Sequence, residues 1–131
     1  MNHRGDAEAQ RINAITEKII GCAIEVQGPG LLESSYEECT CYEIRSSGLR
    51  FERQVSLPVV YKGVKLDCGY RMDLVVEKVV VVEFKTVEAL LPVHEAQLLS
   101  YLKLTGLSVG LLINFHVPVL KDGLKRIVSE F

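Results

Sequence analysis

The sequence has no apolar run approaching a membrane span, because charges break its Val- and Leu-rich stretches well short of the roughly 20 residues a spanning helix needs. Residues 1–8, Met-Asn-His-Arg-Gly-Asp-Ala-Glu, lack the apolar core of a signal peptide, so a cytoplasmic location is the expectation. The four cysteines, Cys22, Cys39, Cys41 and Cys68, lack the paired CxxC spacing that zinc sites favour. Cys39 and Cys41 also fall on different sides of a helix, so reduced, mostly buried thiols are expected. Nor is there a charge excess: the formal net charge is −2 and the pI about 5.9. Tight binding to nucleic acid without sequence preference needs a basic footprint, so this balance argues against strong general DNA affinity. Repeats, linkers and low-complexity segments are absent too. The 131 residues therefore read as one domain, 1–131, with polar residues 1–8 frayed. A chain of that length buries roughly two-thirds of its unfolded surface and needs no disulfide or metal staple.

What is present is 48% hydrophobic and 24% charged residues, as in a soluble globular protein. Ile12, Ile15, Ile19, Ala23 and Val26 recur at steps of three and four and predict an amphipathic helix over about 9–27. Gly28-Pro29-Gly30 turns the chain, and a second helix is expected over 31–47, stopped by Gly48. Its Glu33, Glu37, Thr40 and Ile44 share one stripe, and Leu32, Tyr36, Cys39 and Glu43 another. Two acids one turn apart ordinarily mark a solvated face, with negative charge favoured near the helix N-terminus. Strands are expected over 50–55 and 57–61, then from residue 64 into a central hairpin. Pro92 suits the start of a third helix over 93–104, with His94, Gln97 and Tyr101 as a polar stripe and Leu98, Leu99 and Leu102 on the core side. His94, near the helix start, suits a capping or solvated role. Residues 107–115 form an apolar strand and 124–129 a short final one. The order predicts an α/β fold of the α+β type, a mixed sheet flanked by helices.

Residues 68–88 organise this pattern. Two apolar strands flank Glu77-Lys78, and only Asp73, Glu83 and Lys85 interrupt them. Glu83 and Lys85 lie two apart and share a face. A turn of Glu77 and Lys78 alone would set Asp73 opposite Val82; a three-residue turn including Val79 sets it opposite Glu83, and this second register is the one predicted. Two carboxylates and an ammonium then converge. Asp73 and Glu83 offer the hard oxygens that Mg2+ requires, and Lys85 is near enough to orient a water molecule or to stabilise charge on a phosphate. A structural ion pair would leave the same spacing. Arg71, two before Asp73 on its strand, is placed to pair with a carboxylate or with a phosphate. Arg50, Arg53, Lys62, Lys65, Lys103, Lys121, Lys125 and Arg126 form local basic patches or merely solvate the surface.

Asp73 followed by Glu83-Phe84-Lys85 resembles the Asp…Glu-x-Lys signature of the PD-(D/E)XK nuclease superfamily. Gln97-Leu-Leu-Ser-Tyr101 resembles the Gln-x-x-x-Tyr element of its exonuclease-like branch, and Gly30-Leu-Leu-Glu33-Ser-Ser-Tyr36 resembles the motif of the bacterial GxxExxY proteins. Gly-Tyr-Arg-Met-Asp at 69–73, Pro-Val-His-Glu-Ala-Gln at 92–97 and Gly-Leu-Leu-Ile-Asn-Phe at 110–115 fit that family as well. The resemblance spans about residues 12–128. It implies a restriction-endonuclease-like core and a metal site of Glu33, Asp73 and Glu83 for Mg2+ or Mn2+, with Glu37 as the substitute for Glu33. It also implies that Gln97 and Tyr101 contact substrate or support the metal site. The chain departs from the family where Glu25-Val26-Gln27 passes directly into Gly28, about a turn of helix short. Two functions compete on these grounds: a metal-dependent hydrolase of DNA or RNA, and a non-catalytic nuclease-fold module for nucleic-acid binding or protein assembly, including a homodimer. A hydrolase acting on a small phosphorylated ligand is a third, which the sequence leaves open.

Overall fold

The stripe of Ile12, Ile15, Ile19 and Ala23 is buried along α1 (His3–Val26), as its spacing requires. The computed structural model describes residues 3–28 and 30–129. Helix begins six residues earlier than the apolar pattern indicates, so residues 3–8 are helical rather than frayed; residues 1 and 2 lie outside the described residues. Asp6 in the first turn complements the helix dipole there.

α2 (Glu33–Ser46) ends against Ser47, and Gly48 follows at φ 88, the left-handed conformation that made it a plausible stop. Its acidic stripe is not a solvated face: Glu37, Thr40 and Ile44 are buried with Tyr36 and Cys41, while Leu32 and Cys39 are exposed. Arg53 and Gln54 reach the Glu37 carboxylate and make its burial tolerable. Only two of the four free cysteines are buried, Cys22 and Cys41; Cys39 lies on the outer side of α2, and Cys68 in the turn before the central hairpin.

Seven strands follow: β1 (Phe51–Ser56), β2 (Val59–Tyr61), β3 (Val64–Leu66), β4 (Arg71–Val76), β5 (Val80–Lys85), β6 (Val109–Asn114) and β7 (Leu124–Val128). α3 (Pro92–Thr105) links β5 to β6, and a short 3-10 helix, Leu120–Gly123, which the apolar pattern did not indicate, precedes β7. The main sheet has the order β1-β4-β5-β6-β7, and β2 and β3 form a separate hairpin. The expected strand from residue 64 into the central hairpin is therefore interrupted. Asp67 accepts the Gly69 N–H through Oδ1 at 2.9 Å, a local turn that outcompetes the ladder.

Pairing is antiparallel except between β5 and β6, the two strands joined through α3. One core, beneath α1 and α2, takes Leu74, Val76, Val80, Val82 and Phe84; the other takes Val75, Val81 and Leu112 against Leu98, Tyr101 and Leu102 of α3. Every residue of β6 is buried, which accounts for its apolar run from Val109 to Ile113. α3 approaches this strand so closely that a Cβ on Gly110 would stand 2.9 Å from the Leu98 side chain. Among the described residues no helix is long and apolar enough to cross a membrane.

Candidate functional site

The hairpin register decides where the acids go. Val76 pairs with Val80, so Glu77, Lys78 and Val79 form the three-residue turn, with Glu77 and Lys78 at φ 51 and 59. The Arg50 N–H donates to the Glu77 carboxylate and the Glu77 N–H to the Arg50 carbonyl, which pins the turn to the start of β1. Asp73 consequently stands opposite Glu83, as the second register requires.

Backbone pairing stops at that position. The β4–β5 ladder ends at Leu74–Val82; beyond it the Asp73 N–H donates to Glu83 Oε2 at 2.6 Å and the Phe84 N–H to Asp73 Oδ2 at 2.9 Å. Side-chain carboxylates thus occupy the places of ladder carbonyls. On the other flank the β1–β4 ladder skips Gln54, which sits at φ 50 and turns its amide toward Glu37 Oε1 at 3.0 Å and Asp73 Oδ1 at 3.4 Å. Alternation slips here as well, since Met72 joins the α3 core whereas Leu74 and Val76 join the opposite one. The sheet is wedged open across three strands at Gln54, Asp73 and Glu83.

Electrostatics follow from that wedge. Burial, and then the Asp73 charge, push the Glu83 carboxyl up to about 8, against the pull of the Asp73 N–H and Lys85. Asp73 is raised by burial despite the hydrogen bonds from the Phe84 N–H and Gln54. Glu33, the exposed first residue of α2, is raised by partial desolvation and by the charges of Asp73 and Glu37, while Lys85 and the Thr86 N–H lower it. Lys85 is half-buried, makes no ion pair among the described residues, and exerts its charge on all three acids.

The expected three-acid cluster is only partly assembled. Asp73 and Glu83 are adjacent, whereas Glu33 only feels the charge of Asp73, and among the described residues no three His, Cys, Asp or Glu side chains form a ready cation cage. The substitute acid is committed elsewhere: Glu37 Oε2 accepts Arg53 Nη2 at 2.7 Å, and Arg53 also meets Glu38 at 2.9 Å. Arg53 therefore leaves the list of free surface cations, as do Lys125, paired with Glu95 at 3.4 Å, and Arg126, bonded to Asn13 at 2.8 Å. The donor set nevertheless suits a hard divalent cation. Oxygen ligands are present, and the proton that burial, and then the Asp73 charge, make Glu83 retain marks where positive charge is wanted.

Around these acids the other motifs fall into place. Gln97 Nε2 donates to the Tyr101 hydroxyl at 2.9 Å, and burial followed by the Glu83 charge raises the Tyr101 phenol, so this stripe of α3 adjoins the acid pair. Arg71 is exposed and makes no ion pair with a carboxylate among the described residues. His94 caps α3, its Nδ1 accepting the Leu91 N–H at 2.9 Å. Tyr36 closes the corner before α2: its hydroxyl donates to the Gly28 carbonyl at 2.8 Å and accepts the Leu31 N–H at 3.1 Å, and its ring stacks on Phe115 at 4.4 Å. The shortened passage into Gly28 does not detach the corner. The Gln27 side chain donates to the Val117 carbonyl at 2.7 Å and accepts the Leu120 N–H at 2.9 Å.

Sequence reasoning missed Gln54, the Arg53–Glu37 pair and Asn114. The buried Asn114 donates to the Val87 carbonyl at 2.7 Å and accepts the Val87 N–H at 3.1 Å, fixing the chain just past Lys85. Arg53, Gln54 and Asn114 are polar residues within strands, and that interruption of the strand pattern was the available signal.

A mixed five-stranded sheet flanked by three helices and opened at an Asp–Glu pair, with a lysine two residues on, is the restriction-endonuclease-like arrangement. A model of the PD-(D/E)XK nuclease superfamily matches residues 13–127, and the chain belongs to that superfamily. Its function is accordingly of the nuclease type, and such nucleases generally use divalent metal ions. No curated protein and no solved structure matches the chain.

Proposed function

We propose that the chain is a nuclease of the GxxExxY group, a single domain that hydrolyses phosphodiester bonds of DNA or RNA with Mg2+ or Mn2+. The observation that carries this reading is the pair of half-buried Asp73 and buried Glu83 in a gap of the sheet, beside an ammonium, Lys85, that makes no ion pair among the described residues. In this reading Asp73 and Glu83 hold the cation, with Glu33 completing its shell from the start of α2. A bound divalent ion supplies Lewis-acid stabilisation of phosphoryl oxygens and a more acidic water. Lys85 orients the attacking water and offsets charge developing on the phosphate. Gln97 and Tyr101 fix the strand beside the acids, and Arg71 takes a backbone phosphate.

The test is cleavage of end-labelled DNA and RNA oligonucleotides in Mg2+, in Mn2+ and in EDTA. Cleavage should require the metal and fall at least about a hundredfold in folded Lys85→Ala and Asp73→Asn proteins. No cation binding at millimolar Mn2+, or undiminished cleavage by Lys85→Ala, overturns the proposal. A second reading, a nuclease fold kept for binding or assembly, draws on the β2–β3 hairpin. Its Val60, Tyr61, Val64 and Leu66 are exposed, as a surface for a second copy or another protein would be.

A further inference from the structure

A groove of about 510 Å3 lies along α3 beside the residues that enter and leave the β2–β3 hairpin, walled by Val59, Tyr70, Val93, Ala96, Tyr101 and Leu104. Its size is that of a small-molecule site, and its walls are largely apolar and aromatic. Tyr101 belongs to two places at once. It lines this groove, and its phenol feels the charges of Glu83 and Asp73, so one wall of the groove lies within the field of the acid pair.

Building on the nuclease reading, we infer that the groove seats an unpaired nucleobase stacked on Tyr70, so that the substrate is a single-stranded nucleic acid. Tyr70 is 43% exposed although its ring meets Tyr101 edge-on, with centroids 6.2 Å apart. Such an aromatic surface takes a base of any identity, because every base has a π face, but the faces within a duplex are already covered by neighbouring pairs. Arg71, the next residue, is exposed and makes no ion pair among the described residues, which puts a phosphate-binding cation one residue from the stacking platform. Gln97 spends its amide N–H on Tyr101 and keeps its carbonyl oxygen for a base edge. Stacking plus one cation grips a strand locally, as a chain with net charge −2 must.

The 131-residue chain is titrated into fluorescein-labelled oligo(dT) and into the same strand paired with oligo(dA), in EDTA and again in Ca2+, with anisotropy as the readout. The single strand should bind at least about tenfold tighter than the duplex. Tyr70→Ala should weaken it about five- to a hundredfold, and Tyr70→Phe should restore it. The chain has five tyrosines and no tryptophan, so tyrosine emission is unmasked. Part of it should be quenched by unlabelled oligo(dT), and that part should be missing in Tyr70→Phe while binding persists. Ala96→Glu, which places a carboxylate at the groove wall, should also weaken single-strand binding. Equal or tighter duplex binding, binding unmoved by both Tyr70→Ala and Ala96→Glu, or a Tyr70-dependent dimer that oligo(dT) does not disrupt overturns the inference. Cleavage separates it from the nuclease reading. Tyr70-dependent single-strand binding without metal-dependent cleavage refutes the nuclease alone; cleavage of duplex unaffected by Tyr70→Ala refutes the groove alone.

Discussion

Glu83→Gln should make the metal-free protein more stable in alkaline solution, and the size of the gain follows from the wedge in the sheet. The Glu83 carboxyl stands at about 8 against an ordinary 4.5, because burial and the Asp73 charge oppose its ionisation. Between those values the folded chain holds a proton that the unfolded chain has released. Stability from this group is thus fully present below about pH 4.5, declines as pH rises and is gone above about 8. At 1.36 kcal/mol for each pKa unit, the decline is on the order of 5 kcal/mol. Glutamine keeps an acceptor for the Asp73 N–H and cannot ionise. At pH 9 the variant should exceed the wild type by about 1–4 kcal/mol, and near pH 5 the two should be within about 1 kcal/mol. Urea unfolding in EDTA at pH 5, 7 and 9 measures the difference, in which the titrations the two proteins share largely cancel. Millimolar Mn2+ should reverse the order at pH 8, because a cation stabilises the wild type by occupying the pair and has one fewer charged ligand in the variant. A wild-type-minus-variant difference that is flat from pH 5 to 9, or a variant less stable at pH 9 without metal, would refute the claim that the acid pair stores electrostatic strain.

Three further outcomes test the surroundings of the pair. Glu33→Gln, at an exposed helix start, should leave urea stability within about 0.5 kcal/mol and reduce the rise in Tm caused by Mn2+, whereas Glu37→Gln should cost about 1–3 kcal/mol through the Arg53 pair and keep the Mn2+ response. Tyr36→Phe should keep the stack on Phe115 but lose the bonds to Gly28 and Leu31, costing about 1 kcal/mol by denaturation and weakening Mn2+ binding through displacement of Glu33. Gly110→Ala should cost about 1–3 kcal/mol in the same assay, because the new methyl meets Leu98 at 2.9 Å and forces α3 off the sheet.

The order of elements, the mixed sheet and the pairing of Asp73 with Glu83 were legible in the sequence. They depend on periodicity and on a turn length that only two registers satisfy. What stayed hidden depends on partners far along the chain. The face of α2 holding Glu37 looks solvated until Arg53 and Gln54 arrive from β1, 16 and 17 residues on. The break between β3 and β4 is a local contest won by the Asp67 side chain, which an apolar count does not register. The helical start at residue 3 carries no apolar stripe and so gave no periodic signal. The roles of Gln27 and Asn114 follow from contacts across 90 and 27 residues, which no spacing rule reaches.

Two acids of α2, one turn apart, divide their tasks because of what β1 brings. Arg53 and Gln54 saturate Glu37 and anchor it, and Gln54 extends the same amide toward Asp73, so the neutralised acid holds the wall of the gap in shape. Glu33, without a cation of its own among the described residues, has only the Lys85 charge and the Thr86 N–H acting on its exposed carboxylate in its favour. Were the charges of Asp73, Glu83 and Glu37 left equally unpaired, their repulsion would favour closing the wedge by protonation or unfolding it. Pairing Glu37 weakens its share of that repulsion, which still reaches all three other acids, and leaves the greater part between Asp73 and Glu83, where a cation can relieve it. An Arg53→Met protein should therefore push Glu83 to a still higher pKa and weaken Mn2+ binding without touching a proposed ligand.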